Sequence, residues 1–271
     1  MRAVSKALQV SRSGLANKKQ QRPKSYKKND QQLVGEIKAI LAQRPTYGYR
    51  RVAAMINHSL KSKGDPLVNH KRIYRVMKQH KLLLKKPKVK ERRAHTGKVA
   101  TIASNIRWCS DSFSVQCLNG EQVHVAFSID ACDREILRYV ASTIGIDGEA
   151  IRDLMLESVE YRTGQNRLTT PIQWLSDNGS CYTAKETVRF GADLGLEIRT
   201  TPAYSPESNG ISEAFVKTFK RDYVWPNDIS SAKAVMEKLD EWFEDYNERA
   251  PHKALKMLSP REFIEKTKLA G

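Results

Sequence analysis

Near residue 105 the apolar residues of this 271-residue chain change from a helical spacing to alternation. Before that point they recur every three or four positions, as on one face of a helix, and after it they alternate, as in a strand. Strands are predicted at 107–116, 122–130 and 136–143, and the turn Leu-Asn-Gly-Glu at 118–121 joins the first two as a hairpin. The chain is therefore expected to place helices in front of a sheet.

Helices and strands then alternate through the rest of the chain. The predicted elements are a helix at 148–162, a strand at 172–175, a helix at 184–195, a strand at 196–200, and two closing helices at about 208–224 and 231–247. This order describes an α/β layer in which three antiparallel strands are extended by parallel ones. Trp108, Trp174 and Trp242 are expected in its core.

The front of the chain is predicted to be helical and to bind nucleic acid. Residues 3–19 are compatible with part of a helix-turn-helix, and three longer helices follow a polar linker at 20–30. The last of them turns Ile73, Val76 and Met77 inward. Its outward cations would face a phosphate backbone or a groove edge, and they are Lys71, Arg72, Arg75 and Lys78.

Charge divides the chain at the same point. Residues 1–100 hold 27 basic and 4 acidic side chains, whereas residues 101–271 hold 20 and 26. A basic front that seeks a polyanion, above all nucleic acid, explains this asymmetry. The alternative is a solvated or disordered tail, which the lysine-rich run 84–93 resembles locally. An anionic membrane surface fits less well, because this run has no amphipathic apolar face.

Several protein classes are excluded by what the sequence lacks. No window approaches the roughly 18 to 20 apolar residues of a membrane-spanning helix, and the first residues lack the apolar stretch of a signal peptide. The four cysteines never form a Cys-x-x-Cys pair, which argues against a disulfide framework and a zinc ribbon and indicates small buried residues. A cytosolic protein without membrane partners is expected.

Three carboxylates occupy distinctive places: Asp111 within the first strand, Asp177 at the end of the fourth, and Glu213 on the helix after a loop rich in proline. Burying them together costs several kcal/mol unless cations neutralise them. Mg²⁺ prefers such oxygen ligands, and two ions about 3.5 to 4 Å apart promote phosphoryl transfer. We therefore expect the three side chains to converge on one open pocket.

Glu213 and two further acidic residues also have a structural interpretation. At about 100° per residue, Glu213 shares a helix face with Asn209 and with two cations that could hold a DNA phosphate, Lys217 and Lys220. The alternative is a Glu-Lys pair on a solvated helix that has no function. Asp130 and Asp133 are expected to form a turn, with the alternative that one of them replaces Asp111 as a ligand.

The carboxylates and their neighbours resemble the DDE core of retroviral-type integrases and bacterial insertion-sequence transposases. The matching segments are Asp111, Ser-Asp-Asn-Gly-Ser at 176–180, and Thr-Pro-Ala-Tyr-Ser-Pro-Glu-Ser-Asn-Gly-Ile-Ser-Glu at 201–213. Between Asp177 and Glu213 lie 35 residues, the spacing of that family, and Lys220 stands seven after Glu213, where the family has Lys or Arg. Together these features are highly specific.

The front segment extends the resemblance over nearly the whole chain. Residues 45–51 and 70–77 look like the helical domain of the insertion-sequence-three family, and residues 94–97 and 107–111 are similar to the OrfB proteins of its insertion-sequence-two subgroup. The resemblance implies a helix-turn-helix-type domain followed by a ribonuclease-H-like integrase catalytic core, a mixed five-stranded sheet with flanking helices. The expected domains are 1–20, a partial helix-turn-helix; 21–83, a basic helical DNA-binding domain; 84–104, a basic linker; and 105–271, the DDE catalytic domain.

The resemblance also implies an activity and partners. It predicts two Mg²⁺ or Mn²⁺ ions on Asp111, Asp177 and Glu213, cleavage at transposon terminal inverted repeats, and attack of the freed 3′ hydroxyl on target DNA. It further implies a homodimer or higher synaptic complex and an OrfA-derived N-terminal fusion or partner, with which the short helix near Met1 is compatible. The expected DNA contacts are Lys217, Lys220, Asn209, Tyr204, Asn178, Arg50, Arg51, Lys71, Arg72, Arg75 and Lys78. A DNA-end-binding regulator without catalysis and a ribonuclease-H-like nuclease are the alternatives.

Overall fold

A computed structural model describes residues 6, 7, 9, 30–85, 100–201 and 210–269. Most of the predicted partial helix-turn-helix and most of the predicted linker lie outside the described residues, as do Tyr204 and Asn209. Within the described part of the chain, no helix is long and apolar enough to cross a bilayer.

Residues 30–85 form a helical domain. Its helices are α1 (Gln31–Gln43), α2 (Tyr49–Ser62) and α3 (His70–Gln79). The predicted inward residues of α3 are all buried, and they pack with Leu33, Ile37, Tyr47, Val52, Ala53 and Ile56. The Asn69 side chain accepts from the backbone N–H of Lys71 and so caps α3. The three predicted helices of this domain are confirmed.

Residues 100–201 and 210–269 form a sheet domain. Its elements are β1 (Arg107–Gln116), β2 (Gln122–Asp130), β3 (Ile136–Ser142), α4 (Gly148–Thr163), β4 (Ile172–Ser176), α5 (Ser180–Thr183), α6 (Lys185–Asp193), β5 (Leu196–Thr200), α7 (Gly210–Phe219), α8 (Ala232–Glu248) and α9 (Pro260–Lys268). The strands lie in the order β3-β2-β1-β4-β5. The pairs β1–β2 and β2–β3 are antiparallel, and the pairs β1–β4 and β4–β5 are parallel. The predicted mixed five-stranded sheet is confirmed.

Each face of the sheet is covered by its own core. Helices α7 and α8 cover the aromatic face, which takes its name here from the rings Phe113, Phe127, Phe215, Phe219 and Phe243. Helices α4 and α6 cover the opposite face, where Trp108 and Trp174 are fully buried, while Trp242 is buried on the aromatic face. All four cysteines are free, with Cys109 and Cys117 buried and Cys132 and Cys181 half-buried.

The last third of the sheet domain departs from the prediction in its helices. The predicted helix 208–224 is α-helical only to Phe219 and continues as a π-helical turn, Lys220–Val224. The predicted helix 184–195 is confirmed as α6, but the short helix α5 that precedes it was not predicted. A third closing helix, α9, was not predicted, although its start carries a capping box: the Ser259 hydroxyl accepts from the Glu262 N–H, and the Glu262 carboxylate accepts from the Ser259 N–H.

The acidic residues of the β2–β3 turn surround a buried arginine. Arg162 Nη2 lies 2.5 Å from an oxygen of Asp133 and 3.4 Å from one of Asp130, and its Nη1 binds Glu135. Asp130 also accepts the backbone N–H groups of Cys132 and Asn105, as expected of a turn former. Because these carboxylates are already paired, the alternative that one of them replaces Asp111 as a ligand is not supported.

Charged side chains hold the helical domain against the sheet domain. Asp222, in the π-helical turn, accepts hydrogen bonds from Thr46 and Arg51 at 2.6 Å each. His58 Nδ1 lies 2.8 Å from Glu262 Oε1. The described part of the chain therefore forms two domains in direct side-chain contact.

Candidate active site

Pairing of the central strands brings Asp111 and Asp177 together. Cys109 on β1 is paired with Leu175 on the parallel strand β4. Continuing this register by two residues places Asp111 beside Asp177. Cys109 and Leu175 belong to the core of the aromatic face, and side chains two positions apart in a strand share a face. The charge of Asp177 acts on Asp111, which agrees with this placement at the carboxyl end of β4, where the aromatic face ends.

Local hydrogen bonds orient both carboxylates. Asp111 Oδ1 accepts from the backbone N–H of Ser112 at 2.8 Å, and Asp177 Oδ1 accepts from that of Gly179 at 3.0 Å. A Cβ atom added to Gly179 would lie 3.1 Å from Asp177 Oδ1, closer than ordinary contact. The absence of a side chain at Gly179 thus leaves room for the Asp177 carboxylate.

A buried contact on the opposite face links the same two segments. The Tyr182 hydroxyl on α5 lies 3.1 Å from the Ser110 hydroxyl on β1, and Ser110 in turn donates to the carbonyl of Phe127 at 2.9 Å. Ser110 precedes Asp111, and Tyr182 follows Asp177 by five residues. The contact therefore holds the turn after Asp177 against the strand that carries Asp111.

Glu213 is brought to this region by α7, of which it occupies the first turn. The ring of Phe215 lies 4.4 Å from that of Phe127, and Phe127 is the residue paired with Asp111 across β1 and β2. Helix α7 thus packs on the sheet at the level of Asp111. Glu213 itself is exposed.

The three carboxylates interact electrostatically. The pKa of Asp111 is raised to about 6, first because the side chain is buried and then because the charges of Asp177 and Glu213 repel its own, against the lowering effect of the Ser112 N–H. Among the described residues, no Lys, Arg or His forms an ion pair with any of the three. The alternative of a Glu213–Lys217 pair is therefore not seen, and within the described ranges no cation forms an ion pair that balances the negative charge of the site.

This donor set fits a hard divalent cation in its chemistry. All of its atoms are carboxylate oxygens, and the pKa of Asp111 is raised by burial and then by the charges of Asp177 and Glu213, whose repulsion a bound cation would relieve. In the parts of the chain that the structure describes, however, no group of three ligating side chains is close enough to hold one ion. The predicted convergence is therefore partial: register joins Asp111 with Asp177, and Glu213 acts on Asp111 through its charge.

Three further predicted residues border this region. The Lys220 amine lies 5.5 Å from the centre of the ring of Phe113, which is two residues from Asp111 on β1. Burial lowers the pKa of Lys220. Lys217 is exposed on α7. The Asn178 amide donates to the carbonyl of Thr201 at 2.9 Å and so joins the end of β4 to the end of β5.

The predicted cations of the helical domain fall into two groups. Arg50, Lys71 and Lys78 are exposed without a carboxylate partner among the described residues. The others are bound to carboxylates: Arg72 and Arg75 share Asp30, and Arg51 pairs with Asp222 of the sheet domain. The structure therefore does not gather all six cations on one open surface.

Sequence reasoning missed two residues that shape this site. Gly179 follows Asp177 in the Asp-Asn-Gly turn, and this turn is the signal that could have indicated its role. Tyr182 gave no signal, because its Ser110 partner lies 72 residues away.

Three family models match the chain. Two are described as Integrase core domain, over residues 103–206 and 194–260, and one is described as HTH-like domain, over residues 28–90. The matched segments correspond to the sheet domain and the helical domain. The sheet domain is therefore an integrase-type, ribonuclease-H-like core, and a helix-turn-helix-like domain precedes it.

Curated relatives are similar over most of their length. The transposase InsD for insertion element IS2A/D/F/H/I/K of Escherichia coli is 47% identical over 249 residues, which cover 90% of this chain and 81% of the relative. The transposase InsD for insertion element IS2-9 of Escherichia coli (strain K12) has the same identity, with 80% of its length covered.

Solved structures are more distant. The simian T-cell lymphotropic virus intasome, in complex with PP2A regulatory subunit B56 gamma, has a TM-score of 0.49 and 14% identity over 84% of this chain and 73% of its own. The Mos1 transposase catalytic domain with Raltegravir and Mg has a TM-score of 0.39 and 19% identity over 51% of this chain and 71% of its own.

Proposed function

The chain belongs to the family of insertion-element transposases that includes InsD of IS2, and we propose that Asp111, Asp177 and Glu213 are the carboxylates with which it cuts and joins DNA. Its function is DNA transposition, and its enzyme class is that of the DDE polynucleotidyl transferases. The observation that carries the residue assignment is the place of Asp111 on the central strand, next to the strand that leads to Asp177; burial and then the charges of Asp177 and Glu213 raise its pKa. Such perturbed clusters are typical of functional sites.

The proposed reaction has two phosphoryl transfers. Water first attacks the phosphodiester at an element end, the bond to the 3′ oxygen breaks, and a 3′ hydroxyl is released. That hydroxyl then attacks a phosphodiester of target DNA, forms a new P–O bond and displaces the target's own 3′ oxygen. Both steps place negative charge on phosphate oxygens in the transition state, so the site has to supply positive charge.

Divalent metal dependence is general for this catalytic domain family, and we assign two Mg²⁺ or Mn²⁺ ions to Asp111, Asp177 and Glu213. When bound, such a pair activates the attacking oxygen and stabilises the leaving one. The protein's own contribution is orientation: the Ser112 and Gly179 N–H groups hold the two aspartates. Lys217 and Lys220 follow Glu213 along its helix and would bind the adjoining phosphates.

The helical domain would hold the DNA beyond the cut. We assign its exposed cations Arg50, Lys71 and Lys78 to phosphate contacts at the terminal inverted repeat. Arg72 and Arg75 keep part of their side chains exposed while Asp30 orients them, so both remain candidates for DNA contact. Arg51 has a structural partner, Asp222, and we assign it to the contact between the domains.

Assembly and location complete the proposal. Joining two element ends requires at least a dimer or a higher synaptic complex that also holds target DNA, and an OrfA-derived N-terminal segment or partner would contribute to end recognition. The substrate lies on bacterial DNA, so the protein would act in the cytoplasm at the nucleoid.

An end-cleavage assay tests the assignment. Labelled element ends are incubated with protein, with and without Mg²⁺ or Mn²⁺, and 3′ nicking and joining are measured. Asp111→Asn, Asp177→Asn and Glu213→Gln should each abolish both steps while end binding persists, whereas Asp153→Asn, an exposed carboxylate on α4, should behave as wild type. Nicking at the normal rate by any of the three variants would refute the triad. Cutting without joining would indicate a nuclease, and binding without cutting would indicate a regulator.

A further inference from the structure

Trp225 is a large aromatic side chain that the fold leaves uncovered. It is 65% exposed, whereas the other three tryptophans of the chain are at most 4% exposed. It follows the π-helical turn directly, and cations precede it in that turn and in α7. An exposed indole beside cations calls for an explanation, because burying it would stabilise the fold.

The π-helical turn determines where Trp225 points. The Trp225 N–H donates to the carbonyl of Lys220 at 2.9 Å, so one wide turn separates the two residues. In a continuous α-helix a residue five positions on would be rotated by about 140°. The wider turn reduces this angle and brings the indole towards the side of the helix that carries Lys220.

The side that carries Lys220 is also the side that carries Glu213. Seven residues complete almost two α-helical turns, so Lys220 lies within about 20° of Glu213 around the helix. The Lys220 amine lies over the ring of Phe113, on the strand of Asp111. Glu213 and Lys220 therefore lie on one side of the helix, and the exposed Trp225 follows Lys220 after one wide turn.

The backbone under Trp225 is held firmly. Tyr223 is buried and donates its hydroxyl to Asp245 at 2.8 Å, and Val224 is buried as well. After Pro226, the side-chain amide of Asn227 donates a hydrogen bond to the carbonyl of Tyr223 at 2.6 Å. The indole thus stands on a fixed support, which lowers the entropic cost of binding to it.

We propose that Trp225 stacks on an unpaired nucleobase of the DNA strand whose phosphates contact Lys217 and Lys220. This inference rests on the proposed function, because DNA has to lie along that side of the helix. Nucleobases offer π faces beside a polyanionic backbone, and an exposed aromatic ring that follows Lys217 and Lys220 along the chain complements both features. A second copy of this chain, docked symmetrically here, would bring the same cations against each other.

Intrinsic fluorescence reports on this contact directly. Trp225 is the exposed one of the four tryptophans, and all four lie in the described part of the chain. Titration with single-stranded oligo(dT) or with an element-end duplex carrying unpaired terminal bases should quench its emission. A fully paired duplex of the same phosphate count should bind with less quenching. Trp225→Phe should remove the quenching while retaining most of the binding, since phenylalanine still stacks.

Affinity gives a second measurement. Trp225→Ala should weaken binding to the unpaired-end DNA by about tenfold, measured by anisotropy of labelled DNA, and should weaken binding to the fully paired duplex much less. Ile144→Ala, which removes a 96% exposed apolar side chain from the β3–α4 connection, serves as the matched control and should change neither. The urea midpoints of both variants establish that they fold.

Each remaining outcome overturns the inference in a recognisable way. DNA binding without a change in Trp225 emission would refute the stacking contact and leave the proposed function intact. A complete lack of DNA binding would refute both. An emission that changes with protein concentration in the absence of DNA would assign Trp225 to a contact between copies of the chain.

Discussion

Arg44 and Asp245, 201 residues apart, form a two-pronged ion pair in which Arg44 Nη1 donates to Asp245 Oδ2 at 2.7 Å and Nη2 donates to Oδ1 at 2.5 Å. Arg44 ends the first helix of the helical domain, and Asp245 lies on α8 of the sheet domain. Both side chains are only 15% exposed. A pair shielded from solvent in this way links the stabilities of the two domains.

Removing one partner of this pair should destabilise the whole protein. Arg44→Ala leaves the Asp245 carboxylate buried without its cation, so the free energy of unfolding in urea should fall by about 3 kcal/mol. Lys238→Ala, which breaks the exposed Lys238–Glu241 pair on the same helix, should have no measurable effect. The double variant Arg44→Met, Asp245→Leu should recover much of the loss. If Arg44→Ala and Lys238→Ala unfold at the same urea concentration, the Arg44–Asp245 pair does not link the stabilities of the two domains.

The arginine in the acidic turn should be sensitive even to a conservative change. Arg162→Lys keeps the charge but loses the planar fork that binds Asp133 and Glu135 simultaneously, so the free energy of unfolding should fall by about 3 kcal/mol. Arg152→Lys on the same helix is the control, because its partner Glu186 is 86% exposed and 3.8 Å away. If the two variants unfold at the same urea concentration, the fork geometry is unimportant.

Gly179 should matter for catalysis and not for folding. Its φ of −59° is open to alanine, yet the added Cβ would lie 3.1 Å from Asp177 Oδ1 and displace that carboxylate. Gly179→Ala should therefore lower the rate of 3′ nicking about tenfold at an unchanged thermal midpoint. Gly35→Ala, where the new Cβ meets nothing within 4 Å, should nick at the normal rate. Full activity of Gly179→Ala would show that the turn does not position Asp177.

Asp111 should make the metal-free protein less stable as the pH rises. Burial and then the charges of Asp177 and Glu213 raise its pKa from 3.8 to about 6. Its stabilising contribution is therefore complete below about pH 4 and is lost as the pH rises through about 6. Asp111→Asn avoids that loss. In EDTA the stability of the variant relative to wild type should increase by about 1 to 2 kcal/mol between pH 4 and 7.5, after allowance for solvent screening.

Mg²⁺ should reverse this difference. At pH 7.5, Mg²⁺ should raise the urea midpoint of the wild type and of Asp153→Asn, but not that of Asp111→Asn, because stabilisation by a ligand requires its binding site. KCl at matched ionic strength controls for screening. A midpoint of Asp111→Asn that rises with Mg²⁺ as much as the wild type's would exclude Asp111 as a ligand.

The sheet and the carboxylate spacing were accessible from sequence because they depend on local pattern. Alternation predicted β1, β2 and β3 to within one residue, and Asn119-Gly120 indicated the hairpin between β1 and β2. The family resemblance supplied the mixed five-stranded sheet, whereas the parallel register between β1 and β4 was not predicted and came from the structure.

The remainder depends on partners that are distant in sequence or on weak patterns. Helix α9 was missed because its only large apolar residues, Phe263 and Ile264, are adjacent in sequence and give no helical repeat. The π-helical turn was missed because Tyr223 and Val224 also fit a continuous α-helix. Arg51 was expected to contact DNA, but a cation in a basic segment gives no sign that its partner, Asp222, lies 171 residues further on.

The contacts of Arg44 and Arg51 with the sheet domain have a consequence for the choice of cleavage position. Under the proposed function the helical domain holds the terminal repeat, and these contacts then fix the distance along the DNA between the recognised sequence and the broken bond. Moving the terminal repeat by about 5 base pairs, half a helical turn, relative to the cleavage position would turn its major groove away from α3.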